Sequence, residues 1–289
     1  MTVVLQTLAN AFPVILTFFT ACACFTVVEW LFPVEPKQPI ANKLLSAQFS
    51  FFFLIVNPFL LAGLHYYVYQ FVQQRLGGSF IIFNLDQFNS GSQAINWPLR
   101  NFVFPLLVLF IFDFFYYWHH RIQHKWKVLW AQHKLHHAEE SLCCFTDQRH
   151  HWLEDSIRVF TITIPMGLLL SLTPVQGALL ASVLRYWTIF IHSNVRLPFG
   201  PFSPIMSGPQ LHRIHHSREL IHQDKNLAAF FPIWDILFGT YHRPLPGEWP
   251  KTGLASGEKV TSLKGGLILP FLEWSKQSQQ IIGKLRSRT

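Results

Sequence analysis

Four long apolar stretches alternate with shorter polar ones along the chain. The first runs from about Val3 to Phe32, interrupted by Pro13 and closing on Glu29-Trp30. The second runs from about Leu44 to Phe71 and the third from about Leu99 to Trp118. Each reaches the ~20 residues that a helix needs to cross bilayer hydrocarbon, so each predicts a transmembrane helix. The fourth, Ile157 to Ile191, is broken at Ser171-Leu172-Thr173-Pro174 and predicts a hairpin, spanning or re-entrant. Gly77 to Trp97 is polar, with Gly77-Gly78 and Asn89-Ser90-Gly91-Ser92, and predicts a loop. Pro244, Pro246, Gly247 and Pro250 predict another loop. The amphipathic stretch Leu267 to Arg288 is expected to lie on the membrane surface. No fixed-period repeat is visible.

Composition agrees with this pattern. Half of the 289 residues are hydrophobic and 13% are charged, where a soluble domain carries about 25% charged residues. The 29 Phe and 10 Trp suit lipid-facing surface and interfacial belts. The expected fold is an all-α integral membrane protein with about four transmembrane or re-entrant helices under a cytoplasmic helical cap. Three parts are expected: N-terminal membrane helices and their loop (1–98), a catalytic domain (99–245), and a C-terminal cytoplasmic tail (246–289). The N-terminus lacks a basic n-region and a cleavage site, so the first run reads as a membrane helix, not a secretory signal.

The formal charge of +8 could suggest nucleic acid, but its distribution excludes that reading. Only Lys37, Lys43, Arg75 and Arg100 lie in the first hundred residues; the other basic residues follow, among the histidines and in the tail. That pattern fits a cytoplasmic face beside anionic headgroups. Arg121, Lys125, Lys127, Lys134, Arg149 and Arg158 place their segment on that side, which puts the N-terminus outside. Of the four cysteines, Cys22 and Cys24 sit in an apolar run and Cys143 and Cys144 are neighbours. No disulfide framework is expected.

The chemistry lies in the 15 histidines. His120 and His124 are four residues apart, on one helical face. His133, His136 and His137 form one His-x-x-His-His unit, and His212, His215 and His216 form another. Side chains at i, i+3 and i+4 share a face, so each cluster is expected to aim two or three nitrogens at one point. Eight ligands exceed the needs of one ion, so two ions are implied. Polar groups at membrane depth are costly and tend to be functional. His65, His222 and His242 read as ordinary polar packing. Imidazole suits Zn, Cu, Fe and Ni. A zinc-dependent membrane hydrolase, or a non-catalytic metal-binding transporter or scaffold, would use the same histidines. Eight imidazoles fit a zinc hydrolase poorly, because such sites usually have three protein ligands. Clustering on cytoplasmic segments counts against transport.

The chain resembles the fatty acid hydroxylase/sterol desaturase superfamily of integral-membrane diiron proteins. Its H-x3-H, H-x2-H-H and H-x2-H-H signature is complete here in the eight histidines above. Asp113 to Arg121, Arg149-His-His151-Trp-Leu-Glu154, Ile191-His192-Ser-Asn194 and Trp234-Asp235 to Tyr241 resemble its other conserved-pattern segments, over about residues 100–242. The resemblance implies two iron ions (replaceable by zinc in preparations), O2 as co-substrate, and a lipid substrate that is hydroxylated or desaturated. It implies that His120, His124, His133, His136, His137, His212, His215 and His216 are the catalytic ligands. His151 and His192 are expected as two further ligands or close neighbours of ligands. His119 and His150 are excluded, because they would point about 100° away on a helix. Asp113, Glu154 and Asp235 are expected to accept the ligands' outer N–H groups. The chain has no dinucleotide fingerprint, four-cysteine cluster pattern or haem-attachment motif, so a separate reductase, ferredoxin or cytochrome-type donor is implied.

Overall fold

The computed structural model describes residues 2–75, 91–172 and 174–287. Among them there are helices and turns but no strands; two isolated bridges, Pro33 to Val195 and Ser217 to Thr252, tie loops together. The all-α expectation holds.

Helices α1 (Thr2–Leu31) and α2 (Ile40–Arg75) correspond to the first two apolar runs. Most of the expected 77–97 loop lies outside the described residues. Its end differs from expectation: α3 (Gln93–Pro98) is helical. Ser92 is extended and its carbonyl accepts from the amides of Ile95 and Asn96, so this turn starts the helix before hydropathy rises. A π-helical turn at Leu99–Val103 joins α3 to α4 (Phe104–Lys125). Three helical stretches are long and apolar enough to cross a membrane: Ala11–Leu31, Ile40–Val72 and Gln93–Lys125. Large apolar side chains such as Leu16, Trp30, Phe51 and Leu106 stand exposed on them, the arrangement expected where lipid is the solvent.

Trp126 is extended and ends α4, so the chain turns at once into α5 (Lys127–His137). A 3₁₀ turn, Cys144–Gln148, precedes α6 (Glu154–Arg158), a second π turn (Val159–Thr163) and α7 (Ile164–Leu169). The break expected before Pro174 is present, and α8 (Pro174–His192) returns the chain. Short helices α9 (Pro209–His215) and α10 (Ile233–Leu237) follow, and then α11 (Leu263–Arg286).

The core positions the histidines between apolar layers. Phe18, Cys22, Leu54, Cys144 and Ile189 join α1, α2 and α8 to the 3₁₀ turn. Val108, Ile162 and Met166 join α4 to α7. Phe49, Leu135 and Leu269 dock α11 on α2 and α5. A buried polar layer lies beside them. Glu29 accepts from the amides of Cys144 (2.7 Å) and Asn194 (3.0 Å) and pairs with Lys43 (3.0 Å). Arg149 pairs with Glu139, which also accepts from Ser46 at 2.5 Å. All four cysteines are free.

Candidate metal centre

Three helix ends and one short helix deliver the histidines. The end of α4 carries His120 and His124; the tight turn at Trp126 folds α5 back so that His133, His136 and His137 face them. Gly208 and Pro209 start α9, which carries His212 and His215, with His216 as its C-cap. His192 is the last residue of α8.

The ring nitrogens converge on two points. His120, His124, His133, His137 and His215 place one ligand atom each within 4.8 Å of one another, and so do His136, His192, His212 and His216. In the first group His133 Nε2 lies 3.0 Å from His120 Nε2 and 3.2 Å from His137 Nε2. In the second, His192 Nε2 lies 3.1 Å from His136 Nε2 and 2.8 Å from His212 Nε2. Nitrogens bound at ~2.1 Å to one ion sit about 3 Å apart at right angles. The spacing therefore matches ligands around a shared ion.

The pattern differs from the expectation that each cluster aims at one point. Each His-x-x-His-His unit divides. The i,i+4 pair His133/His137 serves the first group while His136 serves the second. On α9 the pair His212/His216 serves the second group while His215 serves the first. The 100° step per residue turns the middle histidine toward the neighbouring point. His137 and His216 stack at 4.4 Å between the two groups.

Burial and neighbouring imidazoles select the neutral imidazole that a cation requires. Desolvation pushes His136, His137, His212, His215 and His216 well below the usual histidine range, and neighbouring imidazoles push the same way. Burial lowers His133 to about 4, against the pull of Glu154. Outer nitrogens are held by fixed acceptors: His120 Nδ1 by Leu227 O (2.7 Å), His215 Nδ1 by Lys225 O (2.8 Å), His192 Nδ1 by Thr188 O (2.6 Å) and His124 Nδ1 by Asp224 (3.3 Å). His124 Nε2 and His215 Nε2 are buried and unpartnered within the protein. Such orphans are costly unless something inside the group satisfies them, and a cation does so. The residues fit a dimetal site.

Of the expected outer acceptors, Glu154 behaves as such. Its Oε1 is 3.5 Å from His133 Nδ1 and its Oε2 3.0 Å from His150 Nδ1. Burial works to raise this carboxyl, but His150 and His133 outweigh it and hold it well below the usual range. Asp113 and Asp235 touch no histidine. Asp113 accepts from the amides of Ala229, Phe230 and Phe231, and Asp235 from those of Leu227 and Ala228. Together they fix the loop whose Leu227 carbonyl orients His120.

His151 joins neither group. Its Nε2 pairs with Leu267 O at 3.0 Å and its Nδ1 accepts from Leu153 N at 3.3 Å. His150, excluded on the assumption of a helix, stacks on His136 at 4.4 Å. Residues 149–151 are irregular, so the 100° rule does not apply to them. His119 does point away, to Thr161 Oγ1 at 2.7 Å. Asp224 was not visible as a partner, because it lies a hundred residues beyond His124.

Two openings lead to the centre. A cavity of about 600 Å³ runs between α1, α2, α4 and α8, from Ala11, Val14 and Leu61 to His150 and His192. A smaller polar cleft of about 200 Å³ reaches His124, His137 and His215 beneath Lys125 and Lys127.

Residues 105–240, which span all nine converging histidines, match the fatty acid hydroxylase family. This stretch is a fatty acid hydroxylase domain. The chain is 32% identical over 188 residues to an ornithine lipid hydroxylase of Rhizobium tropici, covering 65% of this chain and 55% of that protein. It is 34% identical over 130 residues to the alkylglycerol monooxygenase of Homo sapiens, covering 45% and 28%. It is 31% identical over 151 residues to a Delta(7)-sterol 5(6)-desaturase of Gibberella zeae, covering 51% and 39%. The chain thus spans about half the length of the first relative and under a third of the second. No solved structure matches. The superfamily expected from the histidine motifs is the one found.

Proposed function

We propose that the chain is a membrane-embedded oxidoreductase that uses O2 and external electrons to hydroxylate or desaturate a lipid C–H bond. The observation that carries this reading is the 600 Å³ cavity, which opens among apolar membrane helices and ends on His192 and His150. A lipid tail fits such a route, and relatives named as lipid hydroxylase, monooxygenase and desaturase support it.

In this reading one iron is held by His120, His124, His133, His137 and His215, and the other by His136, His192, His212 and His216. The irons supply the O2 chemistry, which no side chain of this protein can provide. The protein's own part is orientation and exclusion of water. Glu154, Asp224 and the carbonyls of Leu227, Lys225 and Thr188 lie against the outer nitrogens of His133, His124, His120, His215 and His192 and keep the inner nitrogens of those five rings turned toward the centre. Leu54, Leu61, Phe53 and Phe112 line the cavity and keep water from the reacting carbon. The polar cleft beside Lys125 and Lys127, whose rim also carries Glu219 and Asp224, gives a separate electron donor a polar approach to His124, His137 and His215. The catalytic face is cytoplasmic in this reading, with the N-terminus outside.

The test is expression with a compatible electron donor, with untargeted lipid comparison against His136→Ala. A new hydroxylated or desaturated lipid that disappears in the variant is the expected result. Identical lipid profiles across several hosts would count against the reading. Iron per chain, measured on the same preparations, tests the metal assignment separately.

A further inference from the structure

We propose that His222, His242 and Glu248 form a separate site for one divalent cation of the zinc type, which fastens the loop around the hydroxylase centre. These residues lie outside the nine-histidine groups, and their ligand atoms fall within 4.8 Å of one another.

The three donors come from different segments. His222 ends a 3₁₀ turn at Leu220–His222, His242 follows the Trp234 to Tyr241 segment, and Glu248 closes a turn with Leu245. Glu248 Oε1 lies 3.1 Å from His222 Nε2 and 3.2 Å from His242 Nε2. The two rings cross at 78° with centroids 4.7 Å apart. Ligands bound to zinc at 2.0–2.1 Å in a tetrahedron sit about 3.3 Å apart. Both imidazoles address one carboxylate oxygen, while the other, Oε2, takes the Leu245 amide at 2.7 Å. Outer contacts of this kind orient metal ligands. His222 has one as well, with Nδ1 2.9 Å from Ser217 Oγ. His222 is buried, whereas the side chains of His242 and Glu248 are 20% and 17% exposed. That leaves one side open for the ion to enter and for water to complete its coordination.

The location gives the site a task. Loop 217–226 carries Asp224, which holds His124, and Lys225, whose carbonyl holds His215. Asp224 and Asn226 both have left-handed backbone, φ 58° and 55°. Asn226 is clamped to His242 through both backbone groups of that residue, at 2.8 and 3.2 Å. A cation joining His222 to His242 and Glu248 pins the same loop from its other end. It thereby sets the position of two ligands of the first group without touching them.

The test uses the full chain in detergent, loaded with iron and then titrated with zinc or cobalt. Wild type is expected to hold one zinc equivalent beyond the metal in its nine-histidine centre. Glu248→Gln and the partly exposed His242→Gln should each weaken that extra binding more than about tenfold. Cobalt in the extra site should give the visible absorption of tetrahedral coordination, and this should be missing in both variants. Added zinc should raise the melting temperature of wild type but not of the variants. The competing arrangement, two neutral imidazoles donating to Glu248, predicts no extra equivalent and no cobalt signal in wild type. Either of those results, or equal zinc content in wild type and a folded variant, overturns the proposal. Its failure is separable from that of the lipid reading: extra zinc in a chain that alters no lipid keeps this site and removes only the other.

Discussion

At the scale of single residues, the site depends on what holds each ring from outside. Glu154 serves two imidazoles, His133 and His150, and burial prevents water from taking its place. Replacing it with Gln removes the charge and leaves an N–H donor against one of the rings. Metal retention in the first group should fall about 10–100-fold in Glu154→Gln, measured by chelator competition. Asp235 acts at one remove. It accepts from two loop amides and from Thr240, and Asp235→Asn turns a donor onto one of those amides. The expected cost is about 1–3 kcal/mol at neutral pH. Burial raises the Asp235 carboxyl above its ordinary 3.8, against the pull of its hydrogen bonds. The folded chain therefore holds a proton that the unfolded chain has already released. That stabilising share is complete below 3.8 and is lost as pH rises through the elevated value. Because the depressed histidines contribute in the opposite sense, the readout is the difference: in melts across pH 3.5 to 7, in about half-unit steps, the stability of wild type relative to Asp235→Asn should fall as pH rises. The sequence disclosed the ligands because helical spacing is local. It did not disclose Asp224 or His150, because the first is a long-range partner and the second sits where the helix was only assumed.

At the scale of elements, the first three apolar helices and the break before Pro174 were legible because hydrophobic runs and proline act locally. The start of α3 was not, because Ser92 and not hydropathy begins that helix. The role of α11 was hidden for another reason. Its amphipathic pattern suits a membrane surface, yet its first half docks on the core through Leu269, and its Leu267 carbonyl takes His151. Gly266 permits that approach. A Cβ there would collide with the Phe49 ring and with Leu135 on α5. Gly266→Ala should cost about 1–3 kcal/mol through overpacking. Limited trypsin digestion should then cut faster after Lys264 and Lys276 than in wild type. Equal cleavage rates would mean that α11 is held by other contacts, such as Trp274 Nε1 to Val128 O at 2.8 Å.

At the scale of the whole molecule, nine imidazoles are gathered from three stretches of chain into one buried core. Without metal, that core holds inward-facing nitrogens with no partner, as at His124 and His215. Each such group costs about 1–3 kcal/mol. Stripping metal with a chelator should therefore lower the melting temperature by more than about 5 °C, and adding iron back should restore it. An unchanged melt would show that the histidines satisfy one another. The division of each His-x-x-His-His unit between two points has a further consequence. No contiguous fragment carries a whole site: the first group needs His215 from α9, and the second needs His136 from α5. Cutting the chain in the gap between α7 and α8 would not yield one working half and one idle half. The two ion positions are indivisible, like two threads of one weave, and a register slip of a single residue in α9 would carry one histidine to the wrong point, put non-ligating residues in the other two places, and so damage both at once.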